Sequence, residues 1–157
     1  MGKSPVKLDY DELKKLKEQI MLFGDPTNMD KFFESCAKEL AARLLSKVIK
    51  RTPVGQYPAE TGKKGGTLRR GWTSGKSSNA TSYANSLTVN KVGTDYVIDI
   101  INPVEYASYV EFGHRTRNHK GWVEGKFMLT ISEEEIRNSA SRILEKKLKD
   151  YLKGCFK

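Results

Sequence analysis

The sequence predicts an α+β domain: helices packed on a small antiparallel sheet, with a long basic loop between the second helix and that sheet. Three observations predict it. Apolar residues recur at helical spacing in the N-terminal third and again toward the C-terminus. Between them lie two short runs in which apolar and polar residues alternate. The helical and strand-like segments are segregated in the order α–α–β–β–(β)–α–α, which favours helices on an antiparallel sheet over a parallel, interleaved one. A chain of 157 residues supports one core and hardly two, so residues 1–157 are read as a single domain.

The first helix lies at about 10–22, within an N-terminal helical segment 8–24. Leu13, Leu16, Ile20 and Phe23 recur at helical spacing, Asp9 is placed to cap the start, and Gly24 ends it. After "GDPTN" a longer helix is predicted over about 28–51. Phe33, Ala37, Leu40, Leu44 and Val48 form one stripe, widened by Cys36, Ala41 and Leu45, while Lys38, Glu39, Arg43, Lys47 and Lys50 fall mostly outside it. Thr52-Pro53 stops this helix, because proline disfavours helical geometry in the residue before it.

Residues 52–82 are rich in Gly, Ser, Thr, Lys and Pro and make a connection too long to be ordinary. From Arg51 to Ala80 the basic residues Arg51, Lys63, Lys64, Arg69, Arg70 and Lys76 stand against Glu60 alone. More than half of the net charge of +9 therefore sits in this one segment. "SLTVN" and "DYVIDIIN", joined by "KVGT", read as a hairpin, with Tyr96, Ile98 and Ile100 alternating against Val97, Asp99 and Ile101. Leu68–Thr73 is a candidate edge strand. "PVEYASYVEFG" is helical in type, with Val104, Ala107 and Val110 on one side and Gly113 as C-cap. A basic turn leads into a final helix from Lys126. Its stripe is Leu129, Ile136, Ala140, Ile143, Leu144, Leu148 and Tyr151; Glu133–Glu135 lie near its start and Lys146, Lys147, Lys149 and Lys153 near its end, as the helix dipole favours.

Composition excludes several classes. With 38% hydrophobic and 30% charged residues the chain is globular, not wholly disordered. No apolar run approaches the roughly 20 residues that span a bilayer, and "MGKSPVKLDYDELKK" has no signal-peptide core, so no membrane partner and synthesis in a reducing host cytoplasm are expected. Cys36 and Cys155 lack metal-ligand spacing, and Cys36 on an apolar helix face reads as a buried thiol.

The densest cluster of special residues is "NPVEYASYVEFGHRTRNHKGW", residues 102–122. A metal site there would draw on Glu111, His114, His119 and Glu124. Paired histidine ligands on one helix need i,i+4 spacing, whereas these are five apart, follow the helix-ending Gly113, and stand among Arg115, Arg117 and Lys120, which repel a cation. A hydrolase would need a nucleophile, a base and an orienting group. No such set is visible, so no catalysis, metal or cofactor is expected. "TGKKGGT" fails the phosphate-loop pattern, since Tyr57 stands where the first glycine belongs and Lys64 where the hydroxyl belongs. Two surfaces remain. Tyr106, Tyr109, Glu111, Phe112, His114, Arg115, Arg117 and Trp122 combine the residue types enriched at protein interfaces. Lys63, Lys64, Arg69 and Arg70, beside Trp72, are suited to neutralising phosphates without reading sequence.

The residues also carry a family resemblance. "RTPV" (51–54), Thr61-Gly62 and "LRRGW" (68–72), followed by "YASYVEFGHRTR" (106–117) and "GKFML" (125–129), resemble the tail-completion or neck proteins of long-tailed bacteriophages, the tail-component family related to minor tail protein Z. Such proteins also occur in defective prophages and phage-derived contractile particles. The resemblance covers about residues 28–150, and its second block is the more specific. This chain departs from the family's shorter first block by the insertions "GQYPAE" and "KKGG". The resemblance implies an α+β structural protein of the virion, without catalysis. It implies a homo-oligomeric ring, six- or twelve-fold, between the head connector and the tail tube or terminator, with duplex DNA in the lumen. Two alternatives stand beside head–tail joining: a terminator ring capping the tail tube, and a free-standing, sequence-independent DNA-binding module.

Overall fold

A computed structural model describes residues 10–77 and 79–155. Among these residues six α-helices and two small antiparallel hairpins make the α+β fold. Helix α1 (Tyr10–Phe23) ends where Gly24 N–H bonds the Ile20 carbonyl at 2.9 Å. The predicted Asp9 cap and the side chains of Leu13 and Leu16 lie outside the described residues. Helix α2 (Pro26–Arg51) starts two residues earlier than its apolar stripe suggested. The reason is local: Asp25 accepts from the N–H groups of Thr27 and Asn28, and Pro26 occupies the first turn, where its missing N–H costs nothing.

Helix α2 is the spine of the molecule. Ala41, Leu45 and Val48 on its inner face meet Leu68, Trp72, Ala84 and Met128, and Ile98, Ile100, Val104, Ala107, Val110 and Leu129 pack around this cluster. These partners come from residues 68–84, 98–110 and 128–129. Cys36 is buried as a free thiol, and burial in apolar surroundings raises its pKa.

The segment 52–82 is built rather than open. It holds a 3₁₀ turn (Ala59–Thr61), helix α3 (Thr67–Gly71) and the beginning of helix α4 (Ala80–Ser86). The edge strand expected over Leu68–Thr73 is therefore corrected to helix. Leu68 and Trp72, four apart, both point into the core, a spacing that lies on one face of a strand and of a helix alike, and the bond from Arg70 N–H to the Gly66 carbonyl at 2.9 Å belongs to the helix. Helix α4 was not foreseen, although Asn79 is an ordinary N-cap that accepts from Thr81 and Ser82 N–H.

Strands β1 (Asn90–Val92) and β2 (Asp95–Val97) pair antiparallel, with Lys91 opposite Tyr96. The connection is only Gly93-Thr94, with Gly93 at φ 62°, so Lys91 and Val92 belong to the strand and not to the turn. Tyr96 donates to Asp30 on α2, and Lys91 Nζ lies 2.9 Å from the same oxygen. These two bonds, Tyr96 first, lower the Asp30 pKa and tie the hairpin to the spine. Ile98 and Ile100 continue inward as the alternation predicted, while Ile101 points out.

Helix α5 (Ala107–Phe112) is shorter than the predicted segment and ends at Gly113. A second hairpin, not anticipated, follows: β3 (Gly113–Arg115) pairs with β4 (Trp122–Glu124), placing His114 opposite Val123 and Arg115 opposite Trp122. Gly113 is required here, because its φ is 86° and a Cβ would lie 2.5 Å from the Val123 carbonyl oxygen. Helix α6 (Met128–Cys155) closes the fold by running along α2. Lys47 Nζ and Arg51 Nη2 reach Glu135 at 2.8 and 2.7 Å, and Arg51 Nη1 donates to Ser132 at 2.6 Å.

Candidate functional site

The two motif blocks singled out in the sequence have separate structural foundations. The first converges on Thr52, which is fully buried at the end of α2. Its hydroxyl donates to the Val48 carbonyl at 2.6 Å and accepts from the Trp72 indole N–H at 2.7 Å. Its carbonyl accepts Arg69 Nε and Nη2 at 3.1 and 2.7 Å. Gly71 lets the chain pass close, since a Cβ there would stand 2.2 Å from Asn102 Oδ1, and Asn102 Nδ2 donates to the Leu68 carbonyl at 2.8 Å. Threonine, arginine, glycine and tryptophan therefore form one polar clasp that binds α3 to the end of α2. Arg69, predicted to face DNA or a neighbouring ring, is turned inward by this clasp. Lys63, Lys64 and Arg70 are exposed; Arg70 also donates to the Gly65 carbonyl at 3.2 Å.

The second block holds a comparable correction. Glu111 is only 6% exposed. Its two carboxylate oxygens accept Leu129 N–H and Thr130 N–H, both at 2.9 Å, and the Thr130 hydroxyl at 2.6 Å. It is the N-terminal cap of α6, supplied from α5, and favourable to the dipole there. Glu111 therefore joins two elements of its own chain and leaves the set of exposed contact residues.

The remaining residues of that block point out. Tyr106, Tyr109 and Phe112 lie three apart, so they share one edge of α5 while Ala107 and Val110 face the core. Tyr109 is 59% exposed, Phe112 61% and Trp122 55%. Tyr109 lies 5.8 Å from the His114 ring, and Phe112 meets Phe127 edge-on at 6.4 Å. Beyond them the tip of the β3–β4 hairpin is fixed by its own hydrogen bonds. Thr116 N–H donates to the Gly121 carbonyl at 3.0 Å, Gly121 N–H to Thr116 Oγ1 at 3.0 Å, and His119 N–H to the Thr116 carbonyl at 2.8 Å. Arg115 at the end of β3 and Arg117, His119 and Lys120 on this hydrogen-bonded loop are thereby exposed together.

The fold also brings the two blocks together. A groove of about 250 Å³ is lined by Val54, Tyr57 and Lys64 from the basic segment and by Tyr106 and Val110 from the aromatic one. The result is one face: an aromatic edge, a basic tip at one end and a lysine-bearing rim at the other. Among the described residues no group of three His, Cys, Asp or Glu stands close enough to hold a metal ion. None of the described helices is long and apolar enough to cross a membrane.

A family model described as "Bacteriophage HK97-gp10, putative tail-component" matches residues 14–113, well over half of the chain. The chain belongs to the HK97-gp10-like family of phage tail components. No curated protein and no solved structure matches it. On the fold, the HK97-gp10-like match runs from α1 to the glycine that ends α5. It takes in the Thr52 clasp and the exposed edge of α5, while the β3–β4 hairpin after Gly113 and α6 lie beyond it. Membership makes this chain a phage tail-related structural protein of the virion that works alongside other phage structural proteins.

Proposed function

We propose that the chain is a non-enzymatic subunit of the phage neck that acts in tail completion, forming a ring between head connector and tail tube. One observation carries the reading: three aromatic side chains and a hydrogen-bonded basic tip share one exposed face. An aromatic–arginine surface of this kind favours a protein interface over solvent. In a ring of six or twelve copies every interface is heterologous, so this face meets a different patch on the next subunit or an adjoining ring. The interface residues are Tyr106, Tyr109, Phe112, His114, Arg115, Arg117 and Trp122. Lys63, Lys64 and Arg70 on the rim face the DNA passage or the ring beyond, where positive charge costs least against phosphate.

Purified protein added to tails that lack it tests the reading. Wild-type chain restores joining to heads, and Tyr109→Ala with Arg117→Glu does not, although the double variant remains folded. Failure of the wild-type chain contradicts neck function. Tails of uncontrolled length in its absence would instead assign the same face to a terminator ring.

A further inference from the structure

The seam between α2 and α6 carries two grooves that the face above does not use. The first, about 410 Å³, opens where the end of α1, the beginning of α2 and the end of α6 meet. Phe23, Phe32, Phe33 and Tyr151 wall it, with the Tyr151 ring 4.6 Å from Phe32 and 5.5 Å from Phe23. Leu144 and Leu148 add to a mostly apolar lining that also includes Ser141 and Glu145, the latter paired with Lys149 at 2.8 Å. The apolar surface continues onto exposed Ile20, Met21 and Leu22. A continuous apolar surface with a concave centre marks a binding site better than scattered exposed residues do.

The second groove, about 370 Å³, also lies between α2 and α6 and is lined by Glu39, Arg43, Arg142, Lys146, Lys147 and Asp150. Arg43 pairs with Glu39 at 2.8 Å and Lys146 with Asp150 at 3.1 Å. Arg142 and Lys147 are left without a carboxylate partner among the described residues. The grooves adjoin along α6, where Ile143 and Lys147 line the second and Leu144 and Leu148 the first.

We propose that this seam is the docking site for an acidic amphipathic helix of another virion protein. The helix seats its apolar row in the aromatic groove and its flanking Asp or Glu residues on Arg142 and Lys147. Charge argues against a second copy as occupant. The exposed edge Ile20–Leu22 belongs to a helix whose Lys14, Lys15 and Lys17 balance Asp11, Glu12 and Glu18, on a chain of net charge +9. It offers no excess of negative charge to complement the basic groove. The virion as source of the helix rests on the proposed function; the chemistry of the seam does not.

Fluorescence anisotropy with the full chain and two labelled synthetic helices tests it. Both carry Leu at i, i+3, i+4 and i+7; one has Glu and the other Lys at the remaining positions. The Glu helix is expected to bind at least about tenfold more tightly than the Lys helix. Arg142→Glu and Leu148→Ser, both on the surface, each weaken it severalfold, whereas Lys63→Ser/Lys64→Ser leaves it unchanged. Equal binding of the two helices, no binding of either, or equal loss in the lysine variant overturns the proposal. A photo-crosslinker at position 148 then identifies the occupant in particles. An acidic helical segment of another protein supports the proposal; a crosslink to this chain itself, or none from a subunit present in the particle, overturns it. A subunit missing from particles strikes instead at the neck reading and leaves the anisotropy result to decide the seam.

Discussion

At the scale of single residues, the motif positions divide into those that build the fold and those left over for contact. Thr52 and Glu111 are the clearest builders. Thr52→Val keeps the shape but leaves the buried Trp72 indole N–H without its acceptor, a loss of about 1–3 kcal/mol in a denaturant titration. Glu111→Gln keeps one acceptor oxygen and removes the charge at the start of α6, costing about 1–2 kcal/mol in the same measurement. Arg69 and Lys64 separate in the same way. Arg69→Ser should lower the melting temperature because it uncouples α3 from α2, whereas Lys64→Ser should leave it unchanged. Sequence alone could not make this division. "LRRGW" and "EFGHR" display their charges equally, and only the tertiary position of the Thr52 carbonyl and of the α6 N-terminus shows which ones point inward. The apolar spacing did not decide the element either, since Leu68 and Trp72, four apart, share a face in a strand and in a helix, and the segment was read as a strand.

At the scale of elements, the long helices were legible because each carries a sustained 3.6-residue pattern. The short ones were not. Helices α3 and α4 are too brief to show periodicity, and the composition of residues 52–82 resembles that of an open loop. The β3–β4 hairpin was missed because its six-residue loop has no two-residue turn signature; Thr116, Asn118 and Gly121 fix it by side-chain hydrogen bonds instead. The contact between α2 and α6 has a pH signature. Hydrogen bonds from Lys47 and then Arg51 hold Glu135 below the usual carboxylate range. A lowered folded value means that this contribution is complete above the unfolded value, about pH 4.3, and fades as pH falls through the folded one. In urea titrations, the gap in stability between the wild type and Glu135→Gln should therefore be widest near neutral pH and narrow below about pH 4. A constant gap would mean that the contact is shape and not charge.

At the scale of the whole molecule, the α+β class was legible, but its arrangement was not. One sheet beneath the helices was expected. Instead α2 collects the core from the later helices and from Ile98 and Ile100, and two separate hairpins lie outside that core, one tied to Asp30 and the other extending the aromatic edge of α5. That edge, the basic hairpin tip and the rim of the 52–82 segment form one exposed surface on a chain of net charge +9. If the rim lies against DNA, duplex affinity should fall steeply with salt, and Lys63→Ser with Lys64→Ser should lower the slope by about two phosphate contacts. The central claim is that this surface joins subunits into a ring at the neck, and electron microscopy of particles carrying a gold label on this chain tests it most directly. A ring of label at the head–tail junction is the predicted result. Label spread along the tail tube, or confined to its far end, would contradict it.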